Sequence, residues 1–149
     1  MNDTASTGRI LESPKEIGEL LSRIRTVAVL GAKALSDPPQ PAWYVPEYAQ
    51  KAGLTIIPVP VYYPELTELH GEQVYRSLSE IPTAIDLVDV FRRPTDIPQH
   101  LADIIAKRPS AVWFQLGIRN DAAAAELTAA GIDVVQDHCL LVELKKRGR

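Results

Sequence analysis

The chain has 149 residues, of which 46% are hydrophobic and 23% charged, and its formal net charge is -3. This composition is typical of one globular domain that buries its own core, and it excludes a general electrostatic attraction to nucleic acid or to an anionic membrane. The single cysteine, Cys139, excludes an intrachain disulfide and a zinc site built on several thiolates. No apolar run approaches about 18 residues, so we expect no membrane span and a cytoplasmic protein.

The N-terminal part of the chain divides into a polar segment and a helix start. Residues 1–12 offer little apolar surface, which predicts a flexible lead-in, and residues 13–149 are predicted to form a single domain. Ser13 and Glu16 have the spacing of a capping box, with a proline between them at the first helical position. Apolar residues at helical spacing follow, so the first helix is predicted to run to about Arg25.

A buried strand and a proline-rich loop come next. The apolar run 26–30 lacks polar alternation, which predicts a central strand buried on both faces. It stops at Gly31, and the loop leads into a helix that is predicted to begin near Trp43 and to continue over 45–52. A second strand is predicted over 54–60, with prolines near its carboxyl tip.

The rest of the chain alternates strands with helices. After a mixed, turn-rich segment over 61–82, the predicted elements are a strand over 84–91, a helix over 94–107, a strand over 111–116, a helix from Asn120 or Asp121 to Ala130, a strand over 132–135 and a short helix over 140–146. Short loops between alternating elements favour parallel pairing with right-handed crossovers. The predicted fold class is therefore α/β, a doubly wound parallel sheet of about five strands with helices on both faces.

In such a sheet, the residues that follow each strand meet at the carboxyl edge, where phosphates and cofactors bind. Gly31 lacks the further glycines of a dinucleotide fingerprint, because the next glycine is Gly53. The second strand ends in Pro60-Val61-Tyr62, at the place where an NAD site has an acidic residue. This apolar ending suits an adenine face, although prolines there also serve simply to end a strand.

Two arginines follow the third predicted strand directly. Guanidinium groups bind phosphate in a bidentate way, so Arg92 and Arg93 are predicted phosphate ligands, and Lys33 adds a point charge after the first strand. The alternative is a solvated arginine pair that forms ion pairs with Asp89 or Asp96. The sequence leaves both interpretations open.

Other polar and aromatic residues carry weaker signals. Asp86 and Asp89 interrupt an apolar strand, so we expect one of them to be buried and hydrogen-bonded to a loop. Trp43 and Tyr44 lie at the start of the second helix, where they are placed to shield a bound group. Cys139 is interpreted as a buried or half-buried thiol, because no relay that would activate it is identified, and neither a catalytic nor a metal-binding constellation is found.

Five strings of the chain resemble one known family. They are Val-Ala-Val-Leu-Gly-Ala over 27–32, Ile-Pro-Val-Pro over 57–60, Val-Asp-Val-Phe-Arg-Arg-Pro over 88–94, Val-Trp-Phe-Gln-Leu-Gly over 112–117 and Val-Gln-Asp-His-Cys-Leu over 135–140. Their order and spacing resemble those of the small stand-alone CoA-binding domain proteins. That family is similar to the CoA-binding domain of the succinyl-CoA synthetase alpha subunit, and the resemblance covers about residues 17–143.

The resemblance implies a Rossmann-like fold that binds coenzyme A or an acyl-CoA along the carboxyl edge of the sheet, as a binding module without catalysis. The synthetase's phosphohistidine belongs to a separate domain, so His70, His100 and His138 receive no catalytic role. Together with Trp43 and Tyr44, the implied site consists of Gly31, Ala32 and Lys33 at the diphosphate, Pro60, Val61 and Tyr62 at the adenine, Phe91, Arg92 and Arg93 in the groove, and Gln115, Leu116 and Gly117 along the pantetheine.

Two other functions remain open at this point. One is an NAD(P)-dependent oxidoreductase, against which the missing glycines and the missing acidic residue count. The other is an interaction protein with a degenerate nucleotide pocket, which is considered because the loop over 37–44 departs from the family pattern. The expected partner is the small molecule CoA, with no nucleic acid and no membrane, and the sequence leaves a homodimer open.

Overall fold

The computed structural model describes residues 7–149. In chain order its helices and strands are α1 (Pro14–Arg23), β1 (Thr26–Leu30), α2 (Pro41–Lys51), β2 (Thr55–Val59), β3 (Glu68–Leu69), β4 (Glu72–Gln73), β5 (Leu87–Val90), α3 (Leu101–Lys107), β6 (Ala111–Phe114), α4 (Asp121–Ala129), β7 (Asp133–Val135) and α5 (Leu140–Lys146). Short 3-10 turns lie at Leu78–Glu80, Pro94–Asp96 and Pro98–His100. No helix within the described residues is long and apolar enough to cross a membrane.

Five of the strands form one parallel sheet in the order β2-β1-β5-β6-β7. Strand β1 is central, since its Ala28 is in register with Ile57 of β2 and with Val88 of β5. Every residue of β5 and β6 is buried, as expected for parallel strands covered on both faces. Strands β3 and β4 form a separate antiparallel hairpin.

Helices cover both faces of the sheet. The buried residues of α1, α2 and α5 join one apolar cluster with alternate residues of the strands, among them Val29 and Trp113. The buried residues of α3 and α4 join a second cluster with the opposite residues, such as Val88 and Phe114. The alternation follows from the period of two in a strand. The architecture is the predicted Rossmann-like α/β fold, a doubly wound sheet of five parallel strands, and this prediction is confirmed.

The predicted flexible lead-in is wrong for its described part. The backbone N–H of Leu11 donates to Val134 O at 2.8 Å, Val134 N donates to Arg9 O at 2.9 Å, and the Leu11 side chain is only 2% exposed. Ile10 thereby pairs with β7 in a parallel bridge. Residues 1–6 of the lead-in lie outside the described residues. The prediction underestimated the order of this segment, because one buried leucine and two backbone hydrogen bonds are enough to hold a short chain against an edge strand.

Prolines explain where the predicted helix boundaries are wrong. Helix α2 begins at Pro41, earlier than predicted, because a proline is well placed at the first helical position. Pro46 therefore lies inside α2, where it has no N–H to give to Ala42 O, and the backbone N–H of Lys33 donates to that oxygen instead at 3.3 Å. The helix predicted over 94–107 is α-helical only from Leu101, because Pro94 and Pro98 break the first turns into 3-10 segments.

Several other elements form as predicted. The Ser13 side chain accepts a hydrogen bond from Glu16 N at 3.1 Å, and the Glu16 carboxylate accepts one from Ser13 N at 3.1 Å, so α1 begins with the predicted capping box. Strand β1 and helix α5 have the predicted limits. The predicted strand over 84–91 is shorter at both ends, since β5 covers only Leu87–Val90, and the predicted strand over 111–116 ends two residues earlier, at Phe114.

Candidate functional site

The chain reverses direction across the sheet between β1 and β5. From β1 it passes to β2 on one side, and it later returns to β5 on the other side of β1. At such a switch point the loops after the two strands separate, and a crevice opens at the carboxyl edge of the sheet. The loops that follow Leu30 and Val90 therefore form the two sides of the candidate site.

Gly31 allows the ends of β1 and β5 to approach closely. Its φ is +90°, and its N–H donates to Val59 O at 2.9 Å. A Cβ at this position would lie 2.4 Å from Phe91 O, which is closer than real side-chain contacts allow. The next residue, Ala32, is only 2% exposed. Gly31 and Ala32 thus lie beneath the site and shape it, and they do not line it.

A cleft of about 440 Å³ occupies the switch point. This volume lies within the range of roughly 300–1,000 Å³ that is usual for small-molecule sites. Eight of the residues predicted from the sequence line the cleft, namely Lys33, Tyr44, Phe91, Arg92, Arg93, Gln115, Leu116 and Gly117. The other lining residues are Gln40, Pro41, Ala42, Pro94, Ile118 and Cys139.

Four predicted site residues besides Gly31 and Ala32 lie outside this lining. The Trp43 ring packs 5.4 Å from the His70 ring, centroid to centroid, so the structure places it away from the cleft that it was expected to shield. Pro60 is buried, and Val61 is exposed at the surface. Tyr62 lies beside the cleft, because its ring centroid is 5.5 Å from Arg92 Cζ.

Arg92 is the most constrained charged group of the cleft. Its side chain is 9% exposed, and its Nε donates to His100 Nε2 at 3.2 Å. Its Nη1 lies 3.5 Å from Tyr62 Oη, and its Nη2 lies 3.7 Å from Asp96 Oδ2. The hydroxyl contact is at the distance limit of a hydrogen bond, and the Tyr62 ring also lies within cation–π distance of the guanidinium. Arg92 is thus held from three sides at the end of β5.

Arg93 has a different environment. Its side chain is 78% exposed, and its Nε is 2.8 Å from Asp96 Oδ2. The hydrogen bond from Arg93 lowers the pKa of the Asp96 carboxyl below its ordinary value. The interpretation of a solvated arginine with an acidic partner is therefore confirmed for Arg93, with Asp96 as the partner. For Arg92 the predicted ion pair with Asp96 is present at 3.7 Å, but the side chain is buried and not solvated.

The two acidic residues of the third predicted strand also differ. Asp86 Oδ2 accepts hydrogen bonds from Arg25 N at 2.8 Å and from Thr26 N at 3.0 Å, but Asp86 is only partly buried, so it meets one half of the expectation. Asp89 is fully buried, and neither carboxylate oxygen has a hydrogen-bond partner among the described residues. Burial raises the pKa of Asp89 well above its ordinary value.

The start of α2 forms one wall of the cleft. Gln40, Pro41 and Ala42 line it, and Lys33 Nζ donates to Gln40 Oε1 at 3.0 Å. The N-terminus of a helix carries a partial positive charge that favours an anion, although in α2 Pro41 has no N–H and the N–H groups of Trp43 and Tyr44 already donate to Gln40 O. Sequence reasoning missed these wall residues, although a proline directly after Gln40 is a helix-start signal that indicates them.

The opposite wall is held together by hydrogen bonds between the end of β6 with the loop after it and the residues at and before the start of α5. Gln115, which is 3% exposed, accepts a hydrogen bond from Leu140 N through Oε1 at 3.0 Å. Trp113 Nε1 donates to His138 O at 2.8 Å, and Gly117 N donates to Asp137 Oδ1 at 2.7 Å. The half-buried thiol of Cys139 lies on this wall directly before α5. The interpretation of Cys139 as a buried or half-buried thiol is confirmed.

The lining of the cleft carries cationic side chains although the chain as a whole is negative. It contains Lys33, Arg92 and Arg93 and includes no aspartate or glutamate, while Asp96, which pairs with both arginines, lies outside the lining. Hydrogen bonding to Arg92 also lowers the pKa of the Tyr62 hydroxyl, since the guanidinium stabilises the phenolate form. A site of this kind attracts an anion locally, whereas the net charge of -3 gives no general attraction.

Comparison with known proteins identifies relatives over most of the chain. It is 36% identical over 131 residues to the uncharacterized protein YneT of Bacillus subtilis (strain 168), covering 87% of this chain and 93% of that protein. It is 41% identical to the structure of cell-free ID.343 from Thermus thermophilus, with a TM-score of 0.81 and coverage of 91% and 98%. The dinucleotide-forming acetyl-coenzyme A synthetase 1 of Ca. Korarchaeum cryptofilum is 18% identical, with a TM-score of 0.61 over 78% of this chain and 26% of the enzyme, and shares the fold alone.

The family comparison covers the whole sheet and the cleft. The model described as a CoA binding domain matches residues 25–145, which extend from the start of β1 nearly to the end of α5. The five strings that resemble the stand-alone CoA-binding proteins all lie within this match. The chain belongs to the CoA-binding domain family.

Proposed function

We propose that the chain binds coenzyme A or an acyl-CoA in the cleft at the switch point, as a binding module without catalysis of its own. The observation that carries the proposal is a cleft whose lining includes three cationic side chains and no carboxylate, beside the start of α2. Coenzyme A presents a diphosphate and a further phosphate, which are ligands of this kind of site. Membership of the CoA-binding domain family supports the same ligand.

The two walls suit different parts of such a ligand. Lys33, Arg92 and Arg93 are concentrated where the loops after β1 and β5 face each other, and these residues would hold phosphate oxygens. Leu116 and Ile118 on the opposite wall give apolar surface to a flexible chain, and Leu116 is 67% exposed. The Trp43 ring packs against His70 and does not fill the cleft of about 440 Å³, which counts against a degenerate pocket.

The proposal is tested by calorimetric titration of the purified protein with CoA, acetyl-CoA and NAD. We expect saturable heat with CoA or acetyl-CoA below millimolar concentration, and none with NAD over the same range. If neither CoA nor acetyl-CoA gives saturable heat, the proposed function is wrong. Saturable heat with NAD alone would favour the oxidoreductase instead.

Lys33 and Lys51 provide a matched pair of charge removals at the two ends of the α2 region. Lys33 lines the cleft, whereas the Lys51 side chain is 73% exposed and pairs with Glu47 at 3.7 Å. Lys33→Ala is expected to weaken CoA binding roughly tenfold, because a charged hydrogen bond to phosphate is lost. Lys51→Ala removes the same charge and is expected to leave the CoA affinity unchanged. Titration of both variants checks this, and equal losses would indicate a mere effect of net charge.

A further inference from the structure

His100 contacts the cleft's buried arginine from behind. Its Nε2 lies 3.2 Å from Arg92 Nε, and its ring is not part of the cleft lining. The amide Nε2 of Gln99 lies 3.3 Å from the same ring nitrogen. No role was assigned to His100 from the sequence, and none of the comparisons assigns one.

The contact defines the protonation state of His100. The guanidinium of Arg92 offers only N–H donors and has no acceptor atom. His100 Nε2 must therefore accept the hydrogen bond, so the ring is neutral with its proton on Nδ1. A protonated ring would turn an N–H toward the Nε–H of Arg92 and would place two positive charges in contact.

We propose that neutral His100 is a positioning residue that holds Arg92 toward the anion site, and that protonation of His100 releases Arg92 and weakens CoA binding. The proposal rests on the proposed function, since it concerns the affinity for CoA. Released from His100, Arg92 has a competing partner within reach, because Asp96 Oδ2 already lies 3.7 Å from its Nη2. Closer pairing with Asp96 would turn the guanidinium away from a bound phosphate.

The groups around His100 support a neutral ring at physiological pH. Burial lowers the pKa of His100, and the positive charge of Arg92 lowers it further, while the carboxylates of Asp103 and Asp96 act in the opposite direction. Tyr62 and Arg93 are further titratable groups of this cluster, Tyr62 through its contact with Arg92 and Arg93 through its contact with Asp96. Protonation of His100 is therefore expected below the ordinary histidine pKa of about 6.5.

A second effect of protonation acts in the opposite direction. The added positive charge on His100 attracts the anionic ligand through space. This attraction comes from a charge behind Arg92 and is screened by salt and solvent, whereas the lost contact is a direct hydrogen bond between Arg92 and the anion. The direct contact is the larger of the two, so CoA affinity is expected to decrease as His100 becomes protonated.

The test compares the wild-type protein with His100→Gln, His100→Ala and Arg92→Ala by calorimetric titration with CoA. Glutamine places a neutral oxygen acceptor near the position of Nε2, and alanine provides no acceptor. At pH 7.5 we expect His100→Ala to weaken CoA binding about tenfold and His100→Gln to stay within about threefold of wild type. Arg92→Ala gives the full effect of removing the guanidinium, and circular dichroism checks that each variant is folded.

The pH profile separates positioning from a structural role. Between pH 7.5 and 5.5 the wild-type protein is expected to lose CoA affinity more steeply than His100→Gln, whose acceptor does not titrate. At each pH the affinity of the wild-type protein is divided by that of His100→Gln. A phosphate of CoA also titrates near pH 6, and this ratio removes its effect because it acts on both proteins. Identical pH profiles, or wild-type affinity in His100→Ala at pH 7.5, would overturn the role of His100 while leaving CoA binding intact.

Nuclear magnetic resonance of the imidazole nitrogens provides a readout that does not depend on the ligand. In the ligand-free protein at pH 7.5 we expect the Nδ1–H tautomer of His100, and the Nε2–H tautomer or a charged ring would overturn the proposal. Failure of the wild-type protein to bind CoA would overturn the proposed function itself. The two failures are thus distinguishable.

Discussion

Replacing Gly31 by alanine is expected to destabilise the fold by about 3 kcal/mol or more and to disrupt the cleft. The positive φ alone costs a residue with a Cβ roughly 1–2 kcal/mol. The added Cβ would also lie 2.4 Å from Phe91 O and 3.2 Å from Arg92 Cδ. Relief of this contact requires the ends of β1 and β5 to separate, which stretches the 2.8 Å hydrogen bond from Phe91 N to Leu30 O. Urea unfolding and CoA titration measure the two effects.

Gly53 provides the control for this substitution. Its φ is +102°, and a Cβ there would meet no atom within 4 Å. Gly53→Ala is therefore expected to cost only the conformational part, roughly 1–2 kcal/mol, and to leave CoA binding unchanged. The difference in the free energy of unfolding between the two variants is the part of the loss that comes from the close approach of β1 and β5. Equal losses of stability would show that the β1 and β5 ends move apart easily.

Asp89→Asn is expected to stabilise the protein at neutral pH. The Asp89 carboxyl is fully buried without a hydrogen-bond partner among the described residues, and burial raises its pKa well above the ordinary value of 3.8. Below the ordinary value, which applies to the unfolded chain, the Asp89 carboxyl is protonated in both the folded and the unfolded state. In that range it does not make the stability depend on pH. As the pH rises toward the folded-state pKa, the unfolded chain loses its proton first, and the folded state loses relative stability. An asparagine is neutral throughout and avoids this loss.

The stability difference between Asp89→Asn and wild type should therefore grow with pH. The expected slope is at most about 1.4 kcal/mol per pH unit, starting near pH 4, until the folded-state pKa is reached. Asp86→Asn is the matched control with the opposite sign, because the Asp86 carboxylate accepts hydrogen bonds from Arg25 N and Thr26 N. Weakening these should destabilise the fold by about 1 kcal/mol. Urea unfolding between pH 5 and 8 checks both, and a pH-independent difference for Asp89→Asn contradicts the prediction.

Local signals account for the elements that were predicted with correct limits. Ser13 and Glu16 are three residues apart, so their reciprocal hydrogen bonds involve only the first turn of α1. The apolar run of β1 and the stop at Gly31 are likewise properties of adjacent residues. The start of α2 was predicted less accurately, because the hydrogen bond that Pro46 cannot give to Ala42 O is given by the N–H of Lys33 in the loop before the helix.

The candidate site was predicted in outline, because the carboxyl ends of parallel strands meet at one edge whatever their order. Eight predicted residues do line the cleft. The position of Trp43 was misjudged because a side chain at the start of a helix points in a direction that depends on the helix's packing, and here it contacts His70. The lining residues Gln40 and Cys139 were not predicted as site residues, because their place in the walls depends on where α2 and α5 begin relative to the sheet.

The α/β class, the capped first helix, the buried β1 strand and the charges that follow each strand can be read from the sequence. These features depend on hydrogen bonds and apolar spacing within a few residues. The three-dimensional contacts were needed to find that Arg92 is buried against Tyr62 and His100, that Asp86 has two hydrogen-bond donors and that Asp89 has no partner within residues 7–149. Contacts such as Arg92 with Tyr62 join residues 30 positions apart, and the strand order β2-β1-β5-β6-β7 determines them. The physical reason is that strand order is selected by the packing of the whole core, which no short segment encodes.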